Sequence, residues 1–388
     1  MIPSILIKFA FDTMNFNMYL KELSLINFKN YKESHLEFDD KITCFVGNNG
    51  VGKTNILDAI YYLSFCKSYF NIIDSQNINH RGDFFVIQGI YMRNEKQENV
   101  YCGVQKNQKK KFKFNNKEYT KLADHIGLFP LVIISPADYE LIAAGSDERR
   151  KYIDSVISQF DKSYLEDLLS YNKALAQRNI LLKKFSESGI FDAISLEIWN
   201  EQLVEYGQRI YNKRNVFLED FLPVFNSYYT FISGDREYTS IEYDSQLKDN
   251  NFKGLLINSV ERDRILKYTT TGIHKDDLIF KIGDYPIKKF GSQGQQKSFI
   301  IALKLAQFEY TKELKQYNPI LLFDDIFDKL DDIRVEKLME LVSNNSFGQV
   351  FVTDAHPERI KKVFDLIDEN CTIVEVVDGS IKDIKKLK

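Results

Sequence analysis

GNNGVGKT, residues 47–54, decides the reading of this chain. It completes the pattern G-x-x-x-x-G-K-[ST], a loop that curls around the phosphates of a nucleotide. Gly47, Gly50 and Gly52 permit backbone angles and a close approach that a side chain would block. Successive main-chain N–H groups then turn inward as an anion nest. The run Gly47–Asn55, with Asn48, Asn49 and Val51 between the glycines, is expected to face the nucleotide. Lys53 would reach the terminal phosphates, and Thr54 would ligate magnesium. The flanks agree. ITCFV at 42–46 is a short apolar run of buried-strand type, and Ile56, Leu57, Ile60 and Leu63 recur at helical spacing. The loop therefore joins a strand to a helix whose N-terminus adds partial positive charge. The glycine order is not G-x-G-x-x-G, so a dinucleotide-binding fold is not implied.

The partner of this loop lies far downstream. NPILLFDD at 318–325 is a buried strand ending in two carboxylates. Asp324 at the strand tip would hold magnesium through water. Asp325 would orient or deprotonate the attacking water.

Composition limits the alternatives. The 388 residues are 44% hydrophobic, enough for one large core or two domains. The net charge of −3 gives no global signal for nucleic acid, so any DNA site must be a local patch. Cys44, Cys66, Cys102 and Cys371 form no C-x-x-C pair, which suits a reducing cytoplasm better than a zinc site or a disulfide framework. No apolar run approaches the roughly 20 residues of a membrane span. MIPSILIKFAFDTMNFN at the start is broken by Lys8 and Asp12 and is not read as a signal peptide.

The expected organisation is an α/β head assembled from both chain ends, with a mainly helical lobe inserted between them. Residues 1–17 read as an extension or a mis-assigned start. Residues 18–145 form the first part of the head, 146–270 the lobe and 271–388 the rest of the head. Strand pattern runs over Tyr19–Phe38, and residues 84–119 look like antiparallel strands with polar turns. The lobe carries long helices with Tyr164, Leu165, Leu168, Leu169 and Leu175 at 3–4 spacing, and Pro223 is expected to interrupt one helix.

FGSQGQQKSFIIALKLAQFEY begins at Phe290. Ser292 can cap the following helix, which carries Phe299, Ile300, Leu303 and Ala306 on one face. This is either an ordinary capped core helix or a second anion site.

S-Q-G-Q-Q-K at 292–297 resembles the signature of ABC-type ATPases, and ILLFDDIFDKLD at 320–331 resembles their acidic strand and following loop. More narrowly, the chain resembles the RecF family of recombination mediators. YLKELSLINFKNY at 19–31, GNNGVGKTNILDAIYYLS at 47–64, SPADYELIAAGSDERRKYID at 135–154 and TGIHKDDL at 271–278 carry that likeness, together with the signature and the acidic strand. The resemblance implies two heads that meet face to face on two ATP molecules. Ser292, Gln293 and Gly294 would act on the partner's nucleotide, and Asp331 would lie at the seam. It also implies ATP-dependent binding to double-stranded DNA beside single-stranded gaps, slow hydrolysis, and work with RecO and RecR in loading RecA.

Some positions stay open. Asp325 stands where transporters and Rad50 heads carry Glu. The switch residue after the last strand is Thr353, Asp354 or His356. SPAD at 135–138 occupies the region where a glutamine loop is expected. Lys109, Lys110 and Lys111 sit in a basic hairpin that is either a solvated strand face or a DNA-tracking surface. His274, Asp276 and Asp277 read as structural or interface residues rather than metal ligands. The stretch from Lys53 to Asp324 is too long for a transporter subunit and too short for an SMC or Rad50 coiled coil. An SMC-like or other ABC-type head in DNA maintenance is the alternative.

Overall fold

The computed structural model describes residues 18–234, 237–326, 332–343, 347–365 and 371–387. In chain order the first elements are β1 (Met18–Phe28), β2 (Tyr31–Glu37), β3 (Ile42–Val46), α1 (Lys53–Phe65), β4 (Phe84–Arg93), β5 (Lys96–Gln105), β6 (Lys111–Phe114), β7 (Lys117–Glu118) and β8 (Leu131–Ile134). Then come α2 (Glu140–Ala143), α3 (Ser146–Ser158), α4 (Lys162–Ser188), α5 (Ala193–Ser233), β9 (Thr239–Asp244), α6 (Phe252–Leu266), β10 (Asp277–Ile282), β11 (Tyr285–Pro286) and α7 (Ile287–Phe290). The last are α8 (Gln293–Lys315), β12 (Ile320–Asp324), α9 (Asp332–Ser343), β13 (Val350–Asp354), α10 (Pro357–Asp365), β14 (Cys371–Val377) and β15 (Ser380–Leu387).

The chain divides into two compact units, a head (residues 1–139, 227–236 and 293–388) and a lobe (140–226 and 237–292). The head has two six-stranded sheets. One is antiparallel in the order β2-β1-β4-β5-β6-β7; the other runs β15-β14-β3-β13-β12-β8 and is parallel except for β15. α1 packs against strands of both sheets, and Ile56, Leu57, Ile60 and Leu63 are all fully buried there. Gln349 stitches the sheets further: its side chain bonds the main chain of Leu20 in both directions at 2.8 Å and Asp39 O at 2.9 Å.

The parallel sheet explains why distant residues converge. Its strands β3, β12 and β13 are fully buried, as expected of apolar runs covered on both faces. In its register Asp324 lies beside Thr353, and Thr353 beside Phe45. The C-terminal ends of β12, β13 and β3 therefore line up, the usual ligand edge of such sheets.

The lobe differs from the expected reading in three ways. α5 runs through Pro223 as one helix of 41 residues. The proline forfeits one main-chain bond, but Phe221 and Phe225 on either side of it are buried at 1% and 0% exposure and hold the axis. The buried stripe of α4 is Tyr164, Asp167, Tyr171, Ala174, Arg178, Leu182 and Phe185, whereas Leu169 is exposed. Asp167 and Arg178 occupy that stripe because each has an ionic partner, Arg209 and Asp263. Finally, residues 271–292 belong to the lobe, because β10 pairs along its length with β9. The second unit spans 140–226 and 237–292, where 146–270 was the expectation. Residues 1–17 lie outside the described residues.

Candidate nucleotide site

The loop between β3 and α1 is held from outside by side chains of the β1–β2 turn. Asn30 Nδ2 donates to Val51 O over 2.8 Å, Tyr31 OH donates to Gly52 O over 3.1 Å, and Asn55 Nδ2 donates to Asn30 Oδ1 over 2.7 Å. Gly379 N donates to Val51 O over 2.9 Å. Two glycines are required by this packing. Gly47 has φ 150, and a Cβ there would sit 2.3 Å from Val376 O; Gly52 has φ 116, and a Cβ would sit 2.4 Å from Asn30 Nδ2. Asn48 and Asn49 are exposed at the loop tip.

Lys53 is the first residue of α1 and is 4% exposed. Its Nζ donates to Gly47 O at 2.8 Å and Asn48 O at 3.0 Å. The ammonium therefore lies within the curl of its own loop. The next residue, Thr54, donates from Oγ1 to Asp324 Oδ1 over 2.7 Å. Thr353 Oγ1 donates to the same carboxylate oxygen over 2.8 Å and accepts Asp325 N–H over 3.0 Å. Burial pushes the Asp324 carboxyl above its ordinary range, opposed by the hydroxyls of Thr54 and Thr353 and by Lys53, and reinforced by Asp325. Asp325 is half-buried and has φ 45. A pocket of about 120 Å³ opens beside the two acids, lined among others by Ser135, Pro136, Tyr139, Lys297 and Ile300.

The chemistry of this set fits magnesium bound together with a nucleotide. Thr54 and Asp324 supply two oxygens, and among the described residues no group of three or more His, Cys, Asp or Glu could hold an ion. A cation that keeps its waters and leans on phosphates needs no more than that.

The open positions differ in their hydrogen bonds. Of the three switch candidates, Thr353 holds both acids. Asp354 accepts His356 N–H at 2.6 Å and pairs with Arg359 at 2.8 Å, while the His356 side chain is exposed. Asp138 of the SPAD segment is a clasp: it accepts Ser135 N–H at 2.8 Å and Tyr69 OH at 2.5 Å, and it pairs with Lys304 of α8 at 2.6 Å. α8 begins at Gln293, directly after exposed Ser292, and buries Phe299, Ile300, Leu303 and Ala306. Gly294 faces Arg334, whose Nη1 would be 3.1 Å from a Cβ there. Asp331 lies outside the described residues.

Lys109 and Lys111 are exposed, but Lys110 is not at liberty to track DNA. Its Nζ bonds Cys66 O at 2.7 Å, Asp74 Oδ2 at 2.8 Å and Tyr62 OH at 3.2 Å. In the lobe, Asp277 takes a two-point bond from Arg149, Asp276 pairs with Arg214 at 3.0 Å, and His274 Nδ1 meets Tyr171 OH at 2.8 Å. Asn30 and Tyr31 support the loop, and motif reading missed both. They lie in the run 19–31, but nothing in their spacing pointed to the loop.

Fold and site together define a P-loop ATPase head of the ABC/SMC type. Residues 19–381 match the family described as RecF/RecN/SMC N terminal domain. The chain is 54% identical to the DNA replication and repair protein RecF of Flavobacterium johnsoniae, covering 89% of this chain and 96% of that one. It is 49% identical to RecF of Phocaeicola vulgatus, covering 95% and 100%. A solved structure of the recombination mediator protein RecF with ATP, in the RecFOR pathway, superposes with a TM-score of 0.87 at 32% identity, covering 98% of this chain and 100% of that one. An Smc head from Pyrococcus furiosus shares the fold alone, at 18% identity and a TM-score of 0.57. The chain belongs to the RecF family.

Proposed function

We propose that this protein is an ATP-dependent DNA-binding protein of recombinational repair, acting in the cytoplasm. ATP and magnesium bring two copies together at gapped or junction DNA, hydrolysis is slow, and the complex helps load recombinase with RecO and RecR. The observation that carries the reading is the bond between Thr54 and Asp324 in a chain of this family. It brings the phosphate loop and the acidic strand into one site.

The residues divide the task. Gly47–Asn55 bind the phosphates, with Lys53 leaving its two loop carbonyls to meet the terminal ones. Thr54 and Asp324 hold the magnesium, which supplies charge neutralisation on the phosphates. Asp325 orients the attacking water and takes its proton. Ser292, Gln293 and Gly294, with Asp331, complete the partner copy's site. Ser292 and Gln293 are exposed, which is what a contact across copies requires. Lys109 and Lys111 are candidate phosphate contacts on DNA.

The test is size measurement of the protein with ATP and magnesium, with and without gapped duplex. Wild type should become a dimer that retains the DNA. Ser292→Arg should bind ATP as a monomer and fail to dimerise. A wild-type protein that stays monomeric under ATP on gapped DNA would rule the clamp reading out.

A further inference from the structure

β13 contributes a residue that touches both acids. Thr353 is 0% exposed and pairs in register with Asp324 on the neighbouring strand. Its single hydroxyl proton goes to Asp324 Oδ1, 2.8 Å away, and a lone pair receives Asp325 N–H, 3.0 Å away. A threonine hydroxyl has one proton to give and two lone pairs. Both kinds of capacity are in use, so its orientation is set.

Two consequences follow for the acids. The hydroxyls of Thr54 and Thr353 converge on Oδ1 of Asp324, so Oδ2 takes no hydrogen bond from either. Two hydroxyls on one oxygen fix the carboxylate plane and leave Oδ2 to neither of them. Asp325 meanwhile has φ 45, a left-handed conformation that non-glycine residues rarely adopt. The bond from its N–H to Thr353 holds the main chain there and so sets where its side chain points.

We propose that Thr353 is a positioning residue of the ATPase site: it fixes Asp324 for the nucleotide-bound magnesium and aims Asp325 at the attacking water. This rests on the ATP reading above and goes beyond it by giving β13 a role at the metal. The same strand end carries Asp354, which bonds His356 N–H and Arg359 at the start of α10. The placement of the acids is thereby tied to the placement of α10.

Thr353→Val keeps the shape and removes both bonds; Thr353→Ser keeps the hydroxyl. The experiment titrates magnesium against fluorescent ATP binding to the full chain, with phosphate release followed in parallel. Hydrogen bonds to charged groups carry enough energy for about a tenfold shift. The valine variant should therefore need about tenfold more magnesium at half-saturation and release phosphate more slowly, and serine should restore both. A valine variant with the wild-type magnesium midpoint overturns the proposal. So does a serine variant that behaves like valine, because packing would then be the cause. If the valine variant does not fold, Thr353→Cys, a weak donor of similar shape, is titrated under the same criteria. Absence of ATP binding by wild type at saturating magnesium would sink the ATP reading itself, and that result is distinct from an unmoved midpoint.

Discussion

Thr54 Oγ1 stands 2.7 Å from Asp324 Oδ1, although 270 residues separate them in the chain. The first ends the phosphate loop and the second ends a strand two places away in the sheet, with β13 between β3 and β12. The geometry of the site therefore depends on the register of three strands as well as on the loop.

Lys53→Met should weaken ATP binding by about tenfold or more, since it removes the one compact cation inside the loop. The fold should survive, because Lys53 Nζ bonds only loop carbonyls. Calorimetry with ATP, together with a melting curve, checks this. Wild-type affinity in the variant would refute the loop assignment.

Asp325→Asn should still bind ATP, because Asp324 and Thr54 are untouched. Hydrolysis should fall by about a hundredfold, the scale of a lost general base. The ATP-held dimer should then live longer. Phosphate release and dimer lifetime are the measurements, and unchanged release removes Asp325 from its role.

Lys110→Ala should behave unlike its neighbours. Its ammonium pairs with Asp74 and bonds Cys66 O just past the C-terminal end of α1, so its loss should cost about 1–2 kcal/mol in denaturation. Lys109→Ala with Lys111→Ala should leave stability alone. If both touch phosphate, the pair should flatten the salt dependence of DNA affinity by up to about two units. A slope equal to wild type would return the hairpin to a solvated strand face.

His125 makes the head sensitive to acid. It is fully buried, with Nε2 2.7 Å from Leu63 O on α1, and burial pulls its pKa down to about 4. An unfolded imidazole titrates near 6.5. Between those values the unfolded chain takes up a proton that the native state refuses. Stability is therefore complete above about pH 6.5 and declines as pH falls towards 4, by up to about 3 kcal/mol. Denaturation from pH 4.5 to 7.5 should show this slope, and His125→Gln should reduce it. Equal slopes in the two proteins would assign the effect elsewhere.

Arg178→Met should destabilise the lobe by about 3–5 kcal/mol, because it strands a buried carboxylate. Arg178 and Asp263 are both 0% exposed and lie 2.6 Å apart, and the guanidinium also donates to Asn200 and Thr269. A loss below about 1 kcal/mol in urea denaturation would show that the pair is not holding the three helices together.

Features that depend on short range could be read directly from the chain. A glycine pattern specifies its own loop and an apolar run its own buried strand, so the loop at Gly47–Thr54 and the strand ending at Asp324 were legible one motif at a time. Tertiary structure decided whatever depends on which strands become neighbours. The bonds from Thr353 to both acids could not be foreseen until β13 lay between β3 and β12, and Asn30 gained its place only when the β1–β2 turn met the loop. Lys110 looked like its two exposed neighbours until Asp74 and Cys66 were seen beneath it. Pro223 reads locally as a break, yet α5 continues, because burial of the flanking aromatic residues outweighs one missing hydrogen bond. The border of the lobe moved for the same reason: the pairing of β9 with β10 is a contact between distant segments, and no local pattern encodes it.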